Sequence, residues 1–305
     1  MIILYDPQCA EYSRPGHPER PGRIQKTVPL LESRHPNWEW RKPNAVTDEM
    51  LLRAHTHAHL DRVKSATEDF DADTAAHPRL YEHAARAAGA AVDVAQTALH
   101  GQRTFSLMRP PGHHATRDRA MGFCYFSNIA VAALDALAVT GGADDGPRSM
   151  DVATTKIRAE RVAIWDFDAH HGNGTEDIVA NNPRIAFASV HQVPGYPGTG
   201  TRSFGNTHNF PVAPLTARRD HVTAVRRALD ELVAFQPDLL LVSAGFDAYA
   251  GDPITEMSLE PEDFVTFGEW LRETNIPAGA ILEGGYSDEL PELIDGFLSS
   301  WQAEL

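Results

Sequence analysis

The chain has 305 residues, of which 42% are hydrophobic and 23% are charged, a balance that is typical of a globular protein with a well-buried core. Its formal net charge of −15 argues against direct binding of DNA or RNA, because proteins that bind phosphate backbones need basic patches. No apolar stretch is long enough to cross a membrane, and the two cysteines favour a reducing compartment, the cytoplasm, over a disulfide scaffold.

Short apolar runs alternate with amphipathic segments along the chain. Strands are predicted at 2–5, 104–108, 162–167, 185–190, 239–244 and 279–283. Helices are predicted at about 80–99, 126–139, 217–235, 261–273 and 287–302. Most of the strand runs are apolar on both faces, which is typical of a parallel sheet that is covered on both sides. The alternation predicts one α/β domain over residues 1–305, with residues 140–156 as a surface loop because they follow neither period.

Polar side chains stand at the carboxyl ends of five predicted strands. His113 and His114 follow the second strand, and Asp168 and His170 follow the third. The remaining ends carry His191, Asp247 and the segment 283–286, EGGY. Because ligands bind at the carboxyl ends of parallel strands, this distribution predicts one site to which all five ends contribute.

Asp168, His170 and Asp247 offer two carboxylates and one imidazole as ligands. Three protein ligands with open positions are typical of a catalytic zinc, whereas a structural zinc is usually closed by four ligands. Asp168 and His170 are two residues apart at a strand end, so their side chains point to the same side. Taken alone, this D-x-H spacing is equally compatible with a capped turn, and it is Asp247 and the histidine pair that favour the metal site.

Five residues in loops suit a hydrolytic site. His113 and His114 follow a proline-stiffened turn, RPPG, where a neutral imidazole would accept a proton from water, and where two adjacent imidazoles cannot both be charged cheaply. Tyr286 follows two glycines, where its phenol would donate to an oxyanion or its ring would fill the core. Phe123 and Tyr196 lie in glycine-rich loops and are interpreted as the walls of a pocket.

The motifs RPPGHHA, GFCYFSN, DFDAHHGNGT, YPGTG, SAGFDAYAGDP and EGGY occur in this order along the chain. In this respect the chain resembles the zinc-dependent histone deacetylases, including their bacterial deacetylase-like amidohydrolases, from about residue 5 to residue 290. The resemblance implies the arginase–deacetylase fold, an α/β domain with a central, mainly parallel sheet of about eight strands flanked by helices. It also implies a hydrolase that acts on amides and binds one zinc ion per chain.

The resemblance implies a role for each residue that matches a family motif. The zinc ligands would be Asp168, His170 and Asp247. The catalytic residues would be His113 and His114, beside the attacking water, and Tyr286, which would polarise the acetyl carbonyl. Asp166 would hydrogen-bond to the first histidine, and Asn173 takes the position of the partner of the second.

A second cation and a substrate tunnel are also implied by the resemblance. A structural potassium ion would be held, partly through backbone oxygens, by Asp166, Asp168, His170, Ser189 and Val190. The acyl-lysine tunnel would be lined by Gly122, Phe123, Tyr196 and, near its foot, Arg23.

Two positions bear on the subfamily and on the substrate. Asn173 stands where class I enzymes carry an aspartate and class II enzymes an asparagine. It favours a class II-like member and leaves His114 without an anionic partner. Ile254, expected at the mouth of the tunnel, stands where the polyamine-specific member has a glutamate, and an apolar residue there weakens the polyamine interpretation.

Four hypotheses follow. The first is a zinc hydrolase that removes acetyl groups from lysine side chains of proteins, and the second is a deacetylase of acetylpolyamines or of another small acetylated amine. The negative net charge would attract such cations or would serve solubility alone.

The third hypothesis is a dimanganese hydrolase, which would need a further carboxylate in segment 247–249, and this segment reads DAY. A non-catalytic acetyl-lysine binder would not need Tyr286 or His114. No nucleic acid or membrane partner is expected, and the oligomeric state is left open.

Overall fold

The computed structural model describes residues 1–138 and 157–303, and its centre is a sheet of eight parallel strands. The strands are β1 (Ile2–Leu4), β2 (Glu39–Arg41), β3 (Thr104–Ser106), β4 (Val162–Asp166), β5 (Ile185–Gln192), β6 (Thr207–Val212), β7 (Leu239–Ala244) and β8 (Ala278–Leu282). Their order across the sheet is β2-β1-β3-β8-β7-β4-β5-β6, and every neighbouring pair is parallel. The prediction of an α/β domain with a mainly parallel sheet of about eight strands is confirmed.

Helices flank this sheet. In the described part of the chain they are α1 (Gly22–Arg34), α2 (Asp48–Ala54), α3 (His57–Ser65), α4 (Leu80–Leu99), α5 (Asn128–Ala138), α6 (Asn173–Val179), α7 (Arg218–Ala234), α8 (Pro261–Glu273) and α9 (Leu290–Gln302). Among these helices, none is long and apolar enough to cross a membrane. The five predicted helices correspond to α4, α5, α7, α8 and α9, whereas the predicted surface loop 140–156 lies outside the described residues.

Two strands, β2 and β6, escaped the sequence prediction, and they form the two edges of the sheet. β2 has only three residues, EWR, and none of them is buried. β6, THNFPV, mixes polar residues with a proline. An edge strand does not need apolar residues on both faces and tolerates proline, so a search for continuous apolar runs does not find it.

The helices α1, α2 and α6 were not predicted either. α2 is short, and its N-cap residue is Thr47, whose side chain accepts a hydrogen bond from the N–H of Met50, three residues further on. α1 contains Pro29 in its interior. Short or proline-containing helices give a weak periodic signal, and their stability comes from caps and packing instead.

The strand order brings the five functional strand ends together, because β3, β8, β7, β4 and β5 are consecutive neighbours in the sheet. Asp166 at the end of β4 is in register with Ser243 of β7 and with Ser189 of β5. Since all strands run in the same direction, their carboxyl ends lie along one edge of the sheet. The loops that follow them form the candidate site.

A cluster of aromatic rings packs under this edge. The ring centroid of Phe167 lies 6.1 Å from that of Phe246 and 5.6 Å from that of Phe297 in α9, and all three side chains are buried. Each such ring pair contributes about 0.5–1.5 kcal/mol beyond its area burial. Because Phe167 and Phe246 each immediately precede a carboxylate, Asp168 and Asp247, this packing limits the movement of the backbone that carries both acids.

Candidate metal centre and active site

The loops after β4 and β7 bring two carboxylates and one imidazole together. Donor atoms of Asp168, His170 and Asp247 all lie within 4.8 Å of one another, the only such group of three found in the described ranges. His170 Nδ1 is 2.9 Å from Asp247 Oδ2 and 3.2 Å from Asp168 Oδ1. Both carboxylates are fully buried, which is costly unless a cation neutralises them. The group therefore has the donor types and the electrostatic need of a metal site.

Backbone N–H groups hold these carboxylates in place. Gly284 N–H donates to Asp168 Oδ2 at 2.7 Å, and Ala169 N–H donates to Asp247 Oδ1 at 2.8 Å. A Cβ at position 284 would lie 2.2 Å from Asp247 Oδ2, and a Cβ at Gly245 would lie 2.1 Å from Asp168 Oδ2. Both positions therefore need glycine because the backbone approaches the carboxylates so closely.

The histidine pair that follows β3 lies beside this group. His113 Nδ1 is 3.1 Å from Asp166 Oδ2, and its Nε2 is 3.7 Å from Asp168 Oδ1. Burial alone would lower the pKa of His113, but the charges of Asp168 and Asp166 outweigh it and raise this pKa to about 10. His114 Nδ1 instead faces the amide oxygen of Asn173 at 2.8 Å, and burial, followed by the charge of His113, lowers the pKa of His114 well below its usual value. The protein's own charges thus favour a charged His113 and a neutral His114.

Glu283, at the end of β8, supports the histidine pair through its backbone. Its Oε2 accepts hydrogen bonds from the N–H groups of Gly112 at 2.7 Å and His113 at 3.2 Å, and its Oε1 accepts one from the Ser243 hydroxyl at 3.2 Å. Burial raises the pKa of Glu283 to about 7. No role for this residue was predicted, although an acid at the end of an apolar strand is a signal that singles it out.

Tyr286 is held by contacts to its ring and to its backbone. The ring centroid of Phe123 is 5.8 Å away, and the guanidinium carbon of Arg23 lies 4.8 Å from the tyrosine ring centroid. The backbone N–H of Tyr286 donates to Asp252 Oδ2 at 2.7 Å, and Arg23 Nε donates to the carbonyl of Gly285 at 2.7 Å. Within the described residues, the Tyr286 hydroxyl makes no hydrogen bond to the protein, so it is available to a substrate.

Gly122 and Phe123 form one wall beside the histidine pair. Both residues are in the left-handed region, with φ of +57° and +68°. A Cβ at Gly122 would lie 2.5 Å from His114 Cδ2, so only glycine allows the backbone to approach the imidazole this closely. Phe123 is held in this uncommon conformation partly by its N–H, which donates to Thr74 Oγ1 at 3.2 Å. The strained backbone turns the Phe123 ring toward Tyr286.

Tyr196 and Ile254 are the two exposed apolar residues of the candidate site. The ring centroid of Tyr196 lies 5.1 Å from that of His114 and 6.3 Å from that of His170. Tyr196 is 39% exposed and Ile254 is 38% exposed, so neither side chain belongs to the buried core. The N–H of Ile254 donates to Asp252 Oδ1 at 3.1 Å, which links Ile254 to the carboxylate that also binds the backbone of Tyr286.

Residues 17–299 match the family described as the histone deacetylase domain. The chain belongs to this family. The histone deacetylase-like amidohydrolase of Pseudomonas aeruginosa is 34% identical over 90% of this chain and 73% of its own length. An acetylpolyamine amidohydrolase of Mycoplana ramosa is also 34% identical, over 73% of this chain and 62% of its own length.

The crystal structure of the HD domain of HDA15 superposes on this histone deacetylase domain with a TM-score of 0.86 at 29% sequence identity. The superposition covers 100% of this chain and 91% of that chain. The relatives are thus named for amide hydrolysis, and the chain is a deacetylase or amidohydrolase of this family. Their names differ in substrate, so family membership alone does not identify the amine that this member releases.

Three of the residues that were expected to bind potassium lie close together in this histone deacetylase domain. Asp166 and Ser189 are direct register partners on β4 and β5, and Val190 follows Ser189. Asp166 Oδ1 accepts the N–H of Asp168 at 3.1 Å. Asp166, Ser189 and Val190 therefore lie in adjacent strands, and Arg23 contacts the loop after β8 from α1 through the carbonyl of Gly285.

Proposed function

We propose that this chain is a zinc-dependent hydrolase that removes the acetyl group from the side-chain amine of acetyl-lysine in proteins or peptides. The observation that carries the proposal is the group Asp168, His170 and Asp247, with both carboxylates buried, next to the imidazole of His114 and the phenol of Tyr286. The ring centroid of His114 lies 5.9 Å from that of His170. Tyr286 is two residues beyond Gly284, whose N–H binds Asp168.

The donor set fits one zinc ion. Asp168, His170 and Asp247 would hold it, and the ion would polarise the acyl carbonyl and acidify a water when bound. Two carboxylates and one imidazole leave coordination positions for that water and for the substrate. Segment 247–249 supplies no second carboxylate, which supports a mononuclear rather than a dimanganese site.

His114 is the general base of the proposed reaction. The amide oxygen of Asn173 can only accept, so Nδ1 of His114 carries the proton and its Nε2 accepts one from water. The water oxygen forms a bond to the acyl carbon, and the C–N bond then breaks while His114 returns the proton to the leaving amine. The products are acetate and a free amine. His113 is oriented beside this water by Asp166, whose Oδ2 lies 3.1 Å from its Nδ1.

The remaining residues orient the substrate. The Tyr286 phenol donates to the carbonyl oxygen as negative charge develops on it. Phe123 and Tyr196, with Gly122 between Phe123 and the histidine pair, enclose the apolar stem of the acyl-amine. Arg23 stabilises the loop that carries Tyr286, because its Nε donates a hydrogen bond to the carbonyl of Gly285.

We further propose a structural potassium ion at the end of β4 and a cytoplasmic location. The potassium ligands would be Asp166, Asp168, His170, Ser189 and Val190, partly through backbone oxygens. Two adjacent buried carboxylates support a second cation there, because burial without one is costly. The two cysteines, Cys9 and Cys124, are free and buried, which suits a reducing compartment.

A second candidate function is the hydrolysis of acetylpolyamines. Asp69 and Asp73 line one cavity together with Phe123, so two carboxylates stand beside a proposed wall of the site. They would favour a substrate with a second amine. Ile254 opposes this assignment because it adds no charge at the mouth.

The test is a substrate panel on the purified, zinc-loaded protein. An acetyl-lysine peptide, peptides with longer acyl chains, and acetylated putrescine and spermidine are compared by kcat/KM, with Asp247→Ala as the inactive control. The proposal expects the acetyl-lysine peptide to be the best substrate. Higher kcat/KM for the acetylpolyamines would support the second candidate instead, and no release of acetate from any of them would refute both.

A further inference from the structure

A second pair of histidines, His171 and His191, takes no part in the proposed reaction. Both side chains are buried, and their ring centroids are 4.5 Å apart. His171 directly follows the metal ligand candidate His170, and His191 lies in β5. A buried pair of polar rings needs partners, and each of these two histidines has one partner on the same loop.

That loop is 193–200, which carries the tunnel wall Tyr196. His191 Nε2 is 3.0 Å from the carbonyl oxygen of Gly200. Because a carbonyl oxygen only accepts, Nε2 donates, and Nδ1 is left to accept the hydroxyl of Ser189 at 2.9 Å. A single neutral tautomer of His191 therefore satisfies both contacts and joins the loop to β5.

His171 binds the same end of the loop. Its Nδ1 is 2.8 Å from Thr199 Oγ1, and its Nε2 lies 3.4 Å from a carboxylate oxygen of Glu176. The carboxylate favours the ring proton on Nε2, so Nδ1 accepts the hydroxyl of Thr199. Gly200 has φ of +74°, and a Cβ there would lie 2.4 Å from His191 Nε2 and 2.6 Å from His171 Cδ2. The end of the loop is thus seated against the two rings with no room for a side chain.

Few other contacts hold the segment around Tyr196. Between Pro194 and Gly200, the hydrogen bonds to the rest of the described chain are the two from the histidine pair and one from the Gln192 side chain to the carbonyl of Pro194 at 3.2 Å. Tyr196 itself is exposed on one side. Its position against His114 therefore depends on anchors at both ends of its loop, and the anchor at the carboxyl end is the histidine pair.

We propose that His171 and His191 are positioning residues that set the place of the Tyr196 wall and thereby the affinity of the site for the substrate stem. Because His171 follows His170 in the chain, the same segment positions a metal ligand and a wall of the tunnel. This inference rests on the proposed function, since it assigns Tyr196 to the tunnel. Neither histidine touches the reacting atoms.

The test uses Thr199, which is exposed and whose hydroxyl makes the hydrogen bond to His171. Thr199→Val removes the hydroxyl and keeps the shape, and Thr199→Ser keeps the hydroxyl as the matched control. Losing one intramolecular hydrogen bond is expected to raise KM for the acetyl-lysine peptide about three- to tenfold, with kcat within about twofold of wild type. Zinc content is expected to be unchanged, and deuterium uptake over residues 195–200 is expected to rise. The serine variant is expected to match wild type in all four measurements.

The outcomes separate this inference from the proposed function. Unchanged KM and deuterium uptake in Thr199→Val would overturn the inference, and so would a loss of zinc or a fall in kcat alone. If the wild-type protein hydrolyses no acyl-lysine peptide, the proposed function fails, but the inference is still decided by deuterium uptake and by the Kd of a linear alkyl hydroxamate on the zinc-loaded protein. A rise in both for the valine variant but not for the serine variant supports the positioning role.

Discussion

Replacement of Tyr286 by phenylalanine removes one hydroxyl group and keeps the aromatic ring. The ring contacts with Phe123 and Arg23 and the backbone bond to Asp252 do not involve that hydroxyl. Because the hydroxyl has no hydrogen-bond partner among the described residues, its removal orphans no buried group, and the free energy of unfolding is expected to change by less than about 0.5 kcal/mol. What is lost is one donor to the carbonyl oxygen in the transition state, which typically costs about 10²–10³ in kcat, or about 3–4 kcal/mol. Zinc content is expected to be unaffected.

The assay measures kcat, KM, zinc per chain and melting temperature for wild type and Tyr286→Phe on the acetyl-lysine peptide. Tyr81→Phe is the matched control, since Tyr81 loses the same atom on α4, where it bonds to the exposed Asp48. The loss is expected in kcat with little change in KM, because the interaction strengthens as charge develops. A Tyr286→Phe protein with intact zinc and near-normal kcat would show that the phenol only packs, and that the metal alone stabilises the oxyanion.

Substitutions at three further positions test other parts of the site. Asp247→Ala is expected to lose zinc and activity together, because two ligands rarely retain the ion; elemental analysis that finds one zinc per chain would contradict the ligand assignment. Glu283→Ala removes the acceptor for the N–H groups of Gly112 and His113 and is expected to lower kcat about 10²-fold with zinc intact. Glu283→Gln keeps an acceptor, so its loss of kcat is expected to be far smaller. Equal losses of kcat in the two variants would refute the positioning role. Ile254→Glu is expected to raise kcat/KM for acetylated spermidine about fivefold relative to the acetyl-lysine peptide, as one charge about 4 Å from an ammonium in water predicts, and an unchanged ratio would place Ile254 outside the substrate's reach.

The central strands were predictable from the sequence because burial on both faces leaves a continuous apolar run, as in Val162–Asp166 and Leu239–Ala244. The edge strands were not, because one side of each faces no further strand and polar residues are tolerated there. The capped helix α2 was missed for a related reason. Its start is specified by the Thr47 side chain, which bonds to the backbone locally and adds nothing to hydrophobic periodicity.

The metal-ligand candidates could be predicted from the sequence, whereas the residues that hold them in place could not. Asp168, His170 and Asp247 were found because burying acids and histidines at the ends of apolar strands costs free energy unless a ligand compensates for it. Glu283 and Asp252 act through hydrogen bonds to backbone N–H groups, and any residue type can supply such a group. Their partners therefore leave no pattern in the sequence.

These supporting hydrogen bonds join residues that are far apart in the chain. The bond from Gly284 to Asp168 spans 116 residues, and the bond from Gly112 to Glu283 spans 171 residues. Each becomes possible only because the sheet places β3, β8, β7 and β4 side by side, so the precision of the site is a property of the strand order and not of any single motif. Since a misplacement of about 1 Å costs about 10²-fold in rate, a change of Glu283 or Asp252 is expected to lower activity even where the metal ligands and the histidine pair are kept.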